Sequence, residues 1–440
     1  MYSKKDILRV AYPIFLSFLA QNIVNVTDTA FLGRVGEVEL GASALAGVFY
    51  MSLFMIGLGF SVGVQILIGR RNGEGNQAKI GEIFFHGMLF LLLMALLIAG
   101  LVYLFSAPLL QRAIQSNEVY EATIAFLDIR ILGLFFIFPN SLFRSFYIGI
   151  THTRVLMVNA FIMAGVNVLL DYLLIFGHWG LPQMGIAGAA LASVIAEACA
   201  LLFICAYTFW GIDRKMYSLS LATKPEFRVI RHILSVSAYT MLQSFLSIST
   251  WFIFFMGIEH LGERALAVSN VVRSLYLMLL LPVLALSITA STLVSNLIGS
   301  GEKGLVLSLI WRIVRMVLLF LLPMVLLVGL FSDFFIRIYT DDSGLVADCV
   351  IPLWVLLSSM LPAALGSVFF HALGGTGNTR VSLYVELICL VLYVSYMWWM
   401  IWVRESSVAL CWTTEHVYWI IIFIFSYLYI KSGKWMKREI

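Results

Sequence analysis

Charged residues are scarce in this sequence, and their scarcity excludes most classes of soluble protein. Asp, Glu, Lys and Arg make up 12% of the 440 residues, whereas 61% of the residues are hydrophobic. A soluble globular domain has about 25% charged and about 45–50% apolar residues. The net charge of +4 is small and gives no reason to expect a nucleic-acid partner. We therefore expect an integral membrane protein whose main partner is the lipid bilayer.

Catalytic and metal-binding motifs are also missing. The chain has no P-loop, no His-Glu-x-x-His pair and no Gly-x-Ser-x-Gly elbow. Its five cysteines show no Cys-x-x-Cys spacing, and a Cys349–Cys411 disulfide is the one pairing to consider. We expect no enzyme, no cofactor and no transition metal. Without a nucleotide site, any energy-requiring process would have to draw on an ion gradient.

Long apolar stretches are what the sequence has instead. A membrane helix needs about 20 mainly apolar residues. We predict an all-α polytopic fold with twelve spans, at approximately 9–33, 40–69, 80–106, 122–147, 154–177, 185–210, 228–258, 265–298, 305–332, 346–373, 380–403 and 414–431. Most Lys and Arg outside the spans lie in the two tails and in alternate connections, which predicts that both termini are cytoplasmic.

The second half of the chain repeats the first at a constant shift in residue number. With this shift, Gly149, Thr153, Arg154 and Val155 fall on Gly375, Thr379, Arg380 and Val381. The shift covers six helices, so we predict two six-helix lobes related by a pseudo-two-fold axis along the membrane normal. Residues 1–210 form one lobe, 227–440 the other, and 211–226 a cytoplasmic linker. Transporters are built from such repeats, with the substrate site between them.

The first span carries a carboxylate that has no equivalent in the second lobe. Asp28 follows three amides, Gln21, Asn22 and Asn25, in an otherwise apolar helix. A charged Asp at the centre of a membrane helix costs about 2.5–3.5 kcal/mol, so it is a functional hypothesis by default. Under the constant shift of the repeat, Asp28 falls on Phe254.

Span 5 offers Asp28 a companion. Asn167 and Asp171 are four residues apart, so they lie on one face of a helix. Carboxylate and amide oxygens can bind a proton or Na⁺, whereas a transition metal would need His or Cys. Two carboxylates in one dry site repel each other, so one of them takes up a proton easily. With Ser193 of span 6, these residues form the predicted coupling-ion site, with Asp28 and Asp171 within about 10 Å of each other.

Other embedded polar residues are candidates for the substrate cavity. They are Gln21, Asn25, Glu197, Arg273 and Glu386. Arg273 is interpreted as lining the cavity or pairing with an acid such as Glu386, and Arg130 as a helix-end residue beside Asp128. Glu259 and His371 have no assigned role.

Together these motifs resemble the multidrug and toxic compound extrusion (MATE) family over essentially all twelve spans. The resemblance rests on Pro13, Gln21, Asp28, Gly33 and Gly36, and on the segments GRRNGEG, LFSAPLL, GITHTRV, GIAGAALAS and GGTGNTRV. It implies a V-shaped pair of lobes and export of organic cations or similar amphiphiles in exchange for H⁺ or Na⁺.

Within the family, the chain is most similar to the DinF-like prokaryotic branch. That resemblance implies an ion site at Asp28, Asn167, Asp171 and Ser193, and a bend of the first helix at Pro13. The chain departs from the family at Thr151-His152, where Gly-Asp is usual, and at Glu197, where an uncharged polar residue is more usual. It has no clear match to the carboxylate pair that the NorM branch carries in its second lobe.

We therefore predict a monomeric secondary antiporter of the bacterial inner membrane that works by alternating access. One alternative is a lipid-linked saccharide flippase of the same superfamily. Its class has a strongly cationic central cavity, and only Arg144 and Arg273 could serve here, which argues against it. Another is a major-facilitator antiporter, whose usual Asp-Arg-x-Gly-Arg motif is replaced here by Gly69-Arg70-Arg71-Asn72-Gly73. A channel or a membrane scaffold would have no need for buried carboxylates in one lobe.

Overall fold

The computed structural model describes residues 2–114, 116–219 and 224–437, and within these ranges every regular element is a helix. The first half contains α1 (Lys4–Val35), α2 (Glu37–Gly73), α3 (Gln77–Ala113), α4 (Asn117–Arg130), α5 (Leu134–Gly149), α6 (Arg154–Phe176) and α7 (Gly185–Gly211). The second half contains α8 (Phe227–His260), α9 (Glu263–Gly299), α10 (Val306–Leu330), α11 (Ser332–Arg337), α12 (Ser343–Gly375), α13 (Thr379–Trp398), α14 (Val408–Cys411) and α15 (Thr414–Lys431).

Twelve helical stretches in the described part of the chain are long and apolar enough to cross a membrane, which confirms the predicted number. Span 4 combines α4, a 3₁₀ turn at Ile131–Gly133 and α5, while span 11 ends in a π-helical turn at Trp399–Val403. Several helices extend past the predicted apolar stretch, because their polar ends continue the helix beyond the hydrocarbon thickness.

The chain divides into two compact units. The N-terminal unit contains Tyr12–Met241, and the C-terminal unit contains Met1–Ala11 together with Leu242–Ile440. Consequently α1 and α8 each contribute to both units. The lobe borders at residues 210 and 227 stay a prediction, and residues 220–223 of the linker lie outside the described residues.

Two glycines explain why the first part of α8 belongs to the N-terminal unit. A Cβ atom at Gly63 would collide with Ser237 Oγ, and one at Gly59 would lie 2.6 Å from the Cα atom of Met241. Thr240 Oγ1 donates to the carbonyl of Gly59 at 2.7 Å. The backbones of α2 and α8 approach this closely because neither glycine has a side chain.

The start of α1 belongs to the C-terminal unit for a similar packing reason. Ile7 and Ala11 are buried in the apolar core of that unit, and Arg312 donates to the backbone carbonyl of Tyr2. Pro13 follows just beyond the border; it has no backbone N–H to donate within the helix. Ser17 donates to the carbonyl of Pro13 at 2.8 Å. The hinge at Pro13 stays a prediction.

Contacts inside each unit follow the repeat seen in the sequence. Ser61 and Ser141 share a hydrogen bond of 2.8 Å in the N-terminal unit. Their equivalents under the constant shift, Ser287 and Ser367, share a hydrogen bond of 2.8 Å in the C-terminal unit. The same contact at the same offset shows that the repeat is one of packing and not only of composition.

The cysteines form no disulfide. All five are free thiols. Cys349 Sγ lies 3.9 Å from the carbonyl oxygen of Val268, and Cys411 Sγ lies 3.8 Å from that of Ser406. The Cys349–Cys411 pairing considered from the sequence is therefore wrong.

Candidate functional site

Three helices of the N-terminal unit bring the predicted coupling residues together. The orientation of the Asn167 amide follows from its partners: Nδ2 donates to Asp28 Oδ1 at 3.1 Å and to Asp171 Oδ2 at 3.3 Å. The other end of the amide lies 3.4 Å from Ser193 Oγ. The two carboxyl groups are thus bridged by one side chain, well inside the expected separation of about 10 Å.

The two carboxyl groups are buried to different degrees. Asp171 is fully buried and Asp28 is half-buried. Because one amide contacts both carboxyl groups, the two would repel each other if both were ionised. Asp171 Oδ1 is buried and has no hydrogen-bond partner among the described residues.

The coupling ion, H⁺ or Na⁺, stays a prediction. In the assigned orientation the Asn167 amide turns its nitrogen toward both carboxyl groups, whereas a sodium ion would need oxygen ligands there. No group of three or more His, Cys, Asp or Glu able to hold a metal ion occurs in the part of the chain that the structure describes.

Arg130 and Glu197 form a buried ion pair that the sequence analysis did not predict. Arg130 Nη2 donates to Glu197 Oε1 at 2.6 Å and Nη1 donates to Oε2 at 3.0 Å. Asn140 Nδ2 donates to the backbone carbonyl of Glu197 at 2.9 Å. Arg130 is thus the last residue of α4, as expected, but its partner is Glu197. Glu197 is 4% exposed and has both oxygens occupied, so it is not free to line a substrate cavity.

The surroundings of this pair explain its geometry. The Arg130 guanidinium lies 4.0 Å from the centre of the Tyr50 ring, a cation–π contact. A Cβ atom at Gly133 would collide with Arg130 Nη1 and would lie 2.6 Å from Glu197 Oε2, so a side chain there would displace the ends of both charged side chains. The charge of Arg130 also interacts with that of Asp28, which links the pair to the carboxyl cluster.

The two amides of α1 that were candidates for the cavity do not join the carboxyl cluster. Gln21 is half-buried and Asn25 is exposed. Neither side chain hydrogen-bonds to Asp28, Asn167 or Asp171 within the described ranges. Their assignment to a substrate cavity stays a prediction.

In the C-terminal unit, Arg273 and Glu386 do not pair. The Arg273 guanidinium lies 4.7 Å from the centre of the Phe255 ring. Glu386 is fully buried, and its Oε1 accepts from Ser247 Oγ at 2.6 Å and from the Tyr418 hydroxyl at 3.0 Å. The suggested Arg273–Glu386 pair is wrong for this structure.

A second buried carboxylate, Glu415 on α15, was also not predicted from the sequence. Its Oε2 accepts from the Tyr276 hydroxyl at 2.6 Å and from Trp419 Nε1 at 3.1 Å. Trp419 Nε1 lies 2.8 Å from the Tyr276 hydroxyl as well. The one signal in the sequence is that Glu415 and Trp419 are four residues apart on a helix face.

The remaining two candidates of the C-terminal unit have separate surroundings. His371 Nδ1 lies 2.9 Å from the carbonyl oxygen of Ser367. Glu259 lines an open groove at the end of α8, next to His260, whose ring stacks on Trp402. Neither residue contacts Glu386 or Glu415 through a hydrogen bond between described residues.

Comparisons with known proteins agree with this architecture. The MatE family model matches residues 13–173 and 238–399. A relative from Thermotoga maritima, named probable multidrug resistance protein NorM, is 24% identical over 99% of this chain and 94% of its own length. A relative of the same name from Agrobacterium fabrum is 32% identical over 49% of this chain and 46% of its own length.

Solved structures share the fold. A MOP superfamily transporter from Pyrococcus furiosus aligns with a TM-score of 0.89 at 19% identity, covering 99% of this chain and 97% of the other. A MATE protein in complex with MaL6 aligns with a TM-score of 0.90 at 20% identity, covering 98% and 97%. At these identities the likeness concerns the fold, and it confirms the twelve-helix arrangement. The family model covers both halves of the chain, which excludes the major-facilitator alternative: the chain belongs to the MatE family of membrane transporters.

Proposed function

We propose that this protein is a secondary antiporter that exports organic cations or amphiphilic drugs in exchange for protons. The relatives named multidrug resistance proteins support multidrug efflux as the general function. One observation carries the choice of coupling site: Asp28 and Asp171 share the amide of Asn167, and a buried oxygen of Asp171 has no partner among the described residues. The bacterial inner membrane, cytoplasmic termini and a monomeric state complete the proposal.

The cluster suggests how protons and a cation would exclude each other. When Asp28 and Asp171 share no proton, their charge attracts a cationic substrate. Protons that enter from outside neutralise the pair, weaken this attraction and release the substrate. The bend of α1 near Pro13 would accompany the change between inward- and outward-open states. The DinF-like assignment belongs to this proposal, because it rests on the same four residues.

Proteoliposomes test the coupling directly. Uptake of tetraphenylphosphonium is measured with a pH gradient and a Na⁺ gradient imposed separately. The pH gradient should drive transport, and Asp28→Asn and Asp171→Asn should each lower the rate at least about tenfold. Asp341→Asn, which removes an exposed carboxylate between α11 and α12, is the matched control and should transport normally. Unchanged transport and pH dependence in both site variants would overturn the proposal, as would transport driven by Na⁺ alone.

A lipid-linked saccharide flippase is the second candidate, and two arginines favour it. Arg144 lies 4.8 Å from the centre of the Phe18 ring in the N-terminal unit, and Arg273 faces Phe255 in the C-terminal unit. Neither forms an ion pair with a described residue, although both lie in membrane spans. An anionic lipid headgroup would neutralise such groups. Transbilayer movement of a diphosphate lipid in the same vesicles, lost in Arg144→Gln, would select this function over drug export.

A further inference from the structure

His86 is a buried histidine on α3 that the proposed transport mechanism does not use. Its side chain is fully buried, and both of its ring nitrogens have backbone partners. Nδ1 lies 2.8 Å from the carbonyl oxygen of Glu82, one turn earlier in the same helix. Nε2 lies 2.9 Å from the backbone nitrogen of Glu226, at the end of the linker. One side chain therefore ties α3 to the residue that precedes α8.

The hydrogens at His86 follow from its two partners. A backbone N–H can only donate, so the N–H of Glu226 requires Nε2 to be an acceptor. A backbone carbonyl can only accept, so the ring carries its hydrogen on Nδ1 and donates it to Glu82. A protonated ring has a hydrogen on each nitrogen. Its Nε2–H would face the N–H of Glu226, and the bond to the linker would be lost.

The bond to His86 holds the residue at which the hydrogen bonding of α8 begins. The carbonyl of Glu226 accepts from the backbone N–H groups of Val229 at 3.1 Å and Ile230 at 3.4 Å. Its own N–H has no acceptor within the helix, because the first N–H groups of a helix have no earlier turn to bond to. His86 supplies that acceptor from another helix. Pro225, just before, has no N–H that could take its place.

A second part of the linker packs against α3 five residues before His86. A Cβ atom at Gly81 would collide with the carbonyl oxygens of Tyr217 and Ser218. The Tyr217 ring makes an edge contact with Phe146 of α5, with the ring centres 5.6 Å apart. Ser218 has a φ angle of 49°, in the left-handed region that is unfavourable for residues other than glycine. Two described parts of the linker are thus docked on α3, one by close packing and one by His86.

The charged groups around this end of α3 do not hold His86 in its charged form. They lie on α2, α3, the linker and α8, and they are Arg71, Lys79, Glu82, Lys224, Glu226 and His232. Within the described ranges no carboxylate contacts the ring, whose nitrogens bond only to backbone atoms. From α5, which also packs on α3, the Arg144 guanidinium faces Phe18 instead. Protonation of His86 would therefore break one bond without forming an ion pair.

We propose that His86 is a pH-sensitive latch for the linker. The neutral ring binds Glu226 and keeps the start of α8 on α3, whereas the protonated ring releases it. Glu226 is exposed, so a small movement of the linker gives water access to Nε2. Because the linker is predicted to be cytoplasmic, the latch would respond to cytoplasmic pH. It uses no residue of the Asp28–Asp171 cluster and goes beyond the proposed antiport.

The sign of the pH dependence follows from where the proton binds. The released ring can bind a second proton, and the docked ring cannot while Nε2 accepts from Glu226. Docking is therefore favoured as the pH rises. Below about pH 6.5, where an ordinary solvated histidine titrates, the ratio of docked to released linker should fall about tenfold per pH unit.

Nitrogen-15 NMR of the purified protein, labelled at its seven histidines, tests the latch at the ring itself. The signals that are missing in His86→Gln belong to His86. Their chemical shifts should show a hydrogen on Nδ1 and none on Nε2 at about pH 8, and hydrogens on both nitrogens at about pH 5. A neutral ring with its hydrogen on Nε2 would overturn the proposal. So would a ring that stays neutral in acid.

Hydrogen exchange at the start of α8 measures the release. Exchange of peptides that contain residues 224–230 is compared, at each pH, with that of the same peptides in the unfolded chain. Protection in the wild type should fall between about pH 8 and about pH 5. His86→Gln should stay protected throughout, because an amide oxygen accepts from Glu226 at either pH. His86→Ala should be unprotected throughout.

The neighbouring histidine of α8 provides the matched control for this measurement. His232→Gln removes a titratable ring near Lys79 and Glu82 but leaves the bond to Glu226 in place, so it should follow the wild type. A fall in protection that persists in His86→Gln would overturn the latch. A fall that is lost in His232→Gln would assign the response to His232 and would overturn it as well. If His86→Ala does not fold, the other three proteins decide.

Discussion

The two units hold buried carboxylates by different means. In the N-terminal unit, Glu197 is balanced by the full positive charge of Arg130, at 2.6 Å. In the C-terminal unit, Glu386 and Glu415 are held by hydroxyl and indole groups that carry no charge. A buried ion pair keeps both of its charges, whereas a buried carboxyl without a cation is expensive to ionise. The comparison therefore separates a carboxylate balanced by a cation from carboxyl groups held by neutral donors.

The difference is sharpest at positions that the repeat makes equivalent. Tyr50 and Tyr276 are related by the same constant shift as the two serine pairs. The ring of Tyr50 lies under the Arg130 guanidinium, and its hydroxyl is buried without a hydrogen-bond partner among the described residues. The hydroxyl of Tyr276 donates to Glu415. The same residue type therefore accompanies a cation in one unit and an anion in the other, although the Ser–Ser packing contact is identical in both.

Breaking the ion pair should have the largest effect. Arg130→Gln leaves Glu197 buried and unpaired, which should lower the free energy of unfolding by about 3–5 kcal/mol. Thermal unfolding of the purified protein in detergent measures this as a lower Tm. The double variant Arg130→Gln/Glu197→Gln should recover most of the loss. A double variant as unstable as the single one would contradict the assigned role of the pair.

Crowding the same pair should cost less. In Gly133→Ala, the added methyl group would meet both Arg130 and Glu197, and such overpacking costs about 1–3 kcal/mol. Gly100→Ala is the control, because a Cβ atom there has no neighbour within 4 Å. In a chain that already carries Arg130→Ala and Glu197→Ala, the cost of Gly133→Ala should disappear in the same Tm measurement. A cost that persists would place the clash elsewhere.

The equivalent tyrosines sharpen the comparison directly. Tyr276→Phe removes a donor to the buried Glu415 and should cost about 1–3 kcal/mol. Tyr50→Phe keeps the ring that contacts the Arg130 guanidinium and should change stability by less than about 0.5 kcal/mol. Both variants are compared by their Tm in one detergent. Equal losses at the two positions would show that the units do not differ in the way described.

The smallest effect is expected outside the membrane. Arg264 donates to Asp342 at 2.8 Å, and this bond holds the pKa of Asp342 below its ordinary value. A carboxyl whose folded-state pKa is lowered adds stability above its unfolded pKa and loses it as the pH falls through the folded value. Asp342→Asn should therefore lower the Tm slightly at neutral pH and not in acid, because an exposed ion pair contributes little. An equal shift at both pH values would contradict this assignment.

Local patterns explain what could be predicted from the sequence. The length of apolar stretches predicts membrane spans, and the constant shift between equivalent positions predicts the repeat. Asn167 and Asp171 lie on one helix face because they are four residues apart, and Asp28 is the unusual charge of its helix. The structure brings these three together, while their role in coupling stays a proposal.

Partners across helices could not be predicted in this way. Arg130 and Glu197 are 67 residues apart in sequence, and the space for their contact depends on a missing side chain at Gly133. In the sequence, Glu415 cannot be told from an ordinary acid in the first turn of a helix. Its contact with Tyr276 is visible only in the folded chain. The sharing of α8 between the units depends on close approaches at Gly59 and Gly63, and that of α1 on the burial of Ile7 and Ala11, which no periodic pattern reveals.

The path of α8 limits how the chain could be expressed as two separate fragments. A break in the linker would leave a first fragment without the turns of α8 that cover Gly59 and Gly63, yet still carrying the start of α1 that packs in the other unit. The first fragment would lack the turns of α8 that belong to its core. The second fragment would lack the start of α1 that belongs to its own core. Although the two halves repeat each other, they are not independent folding units, and two separately made halves would each need the other to complete their fold.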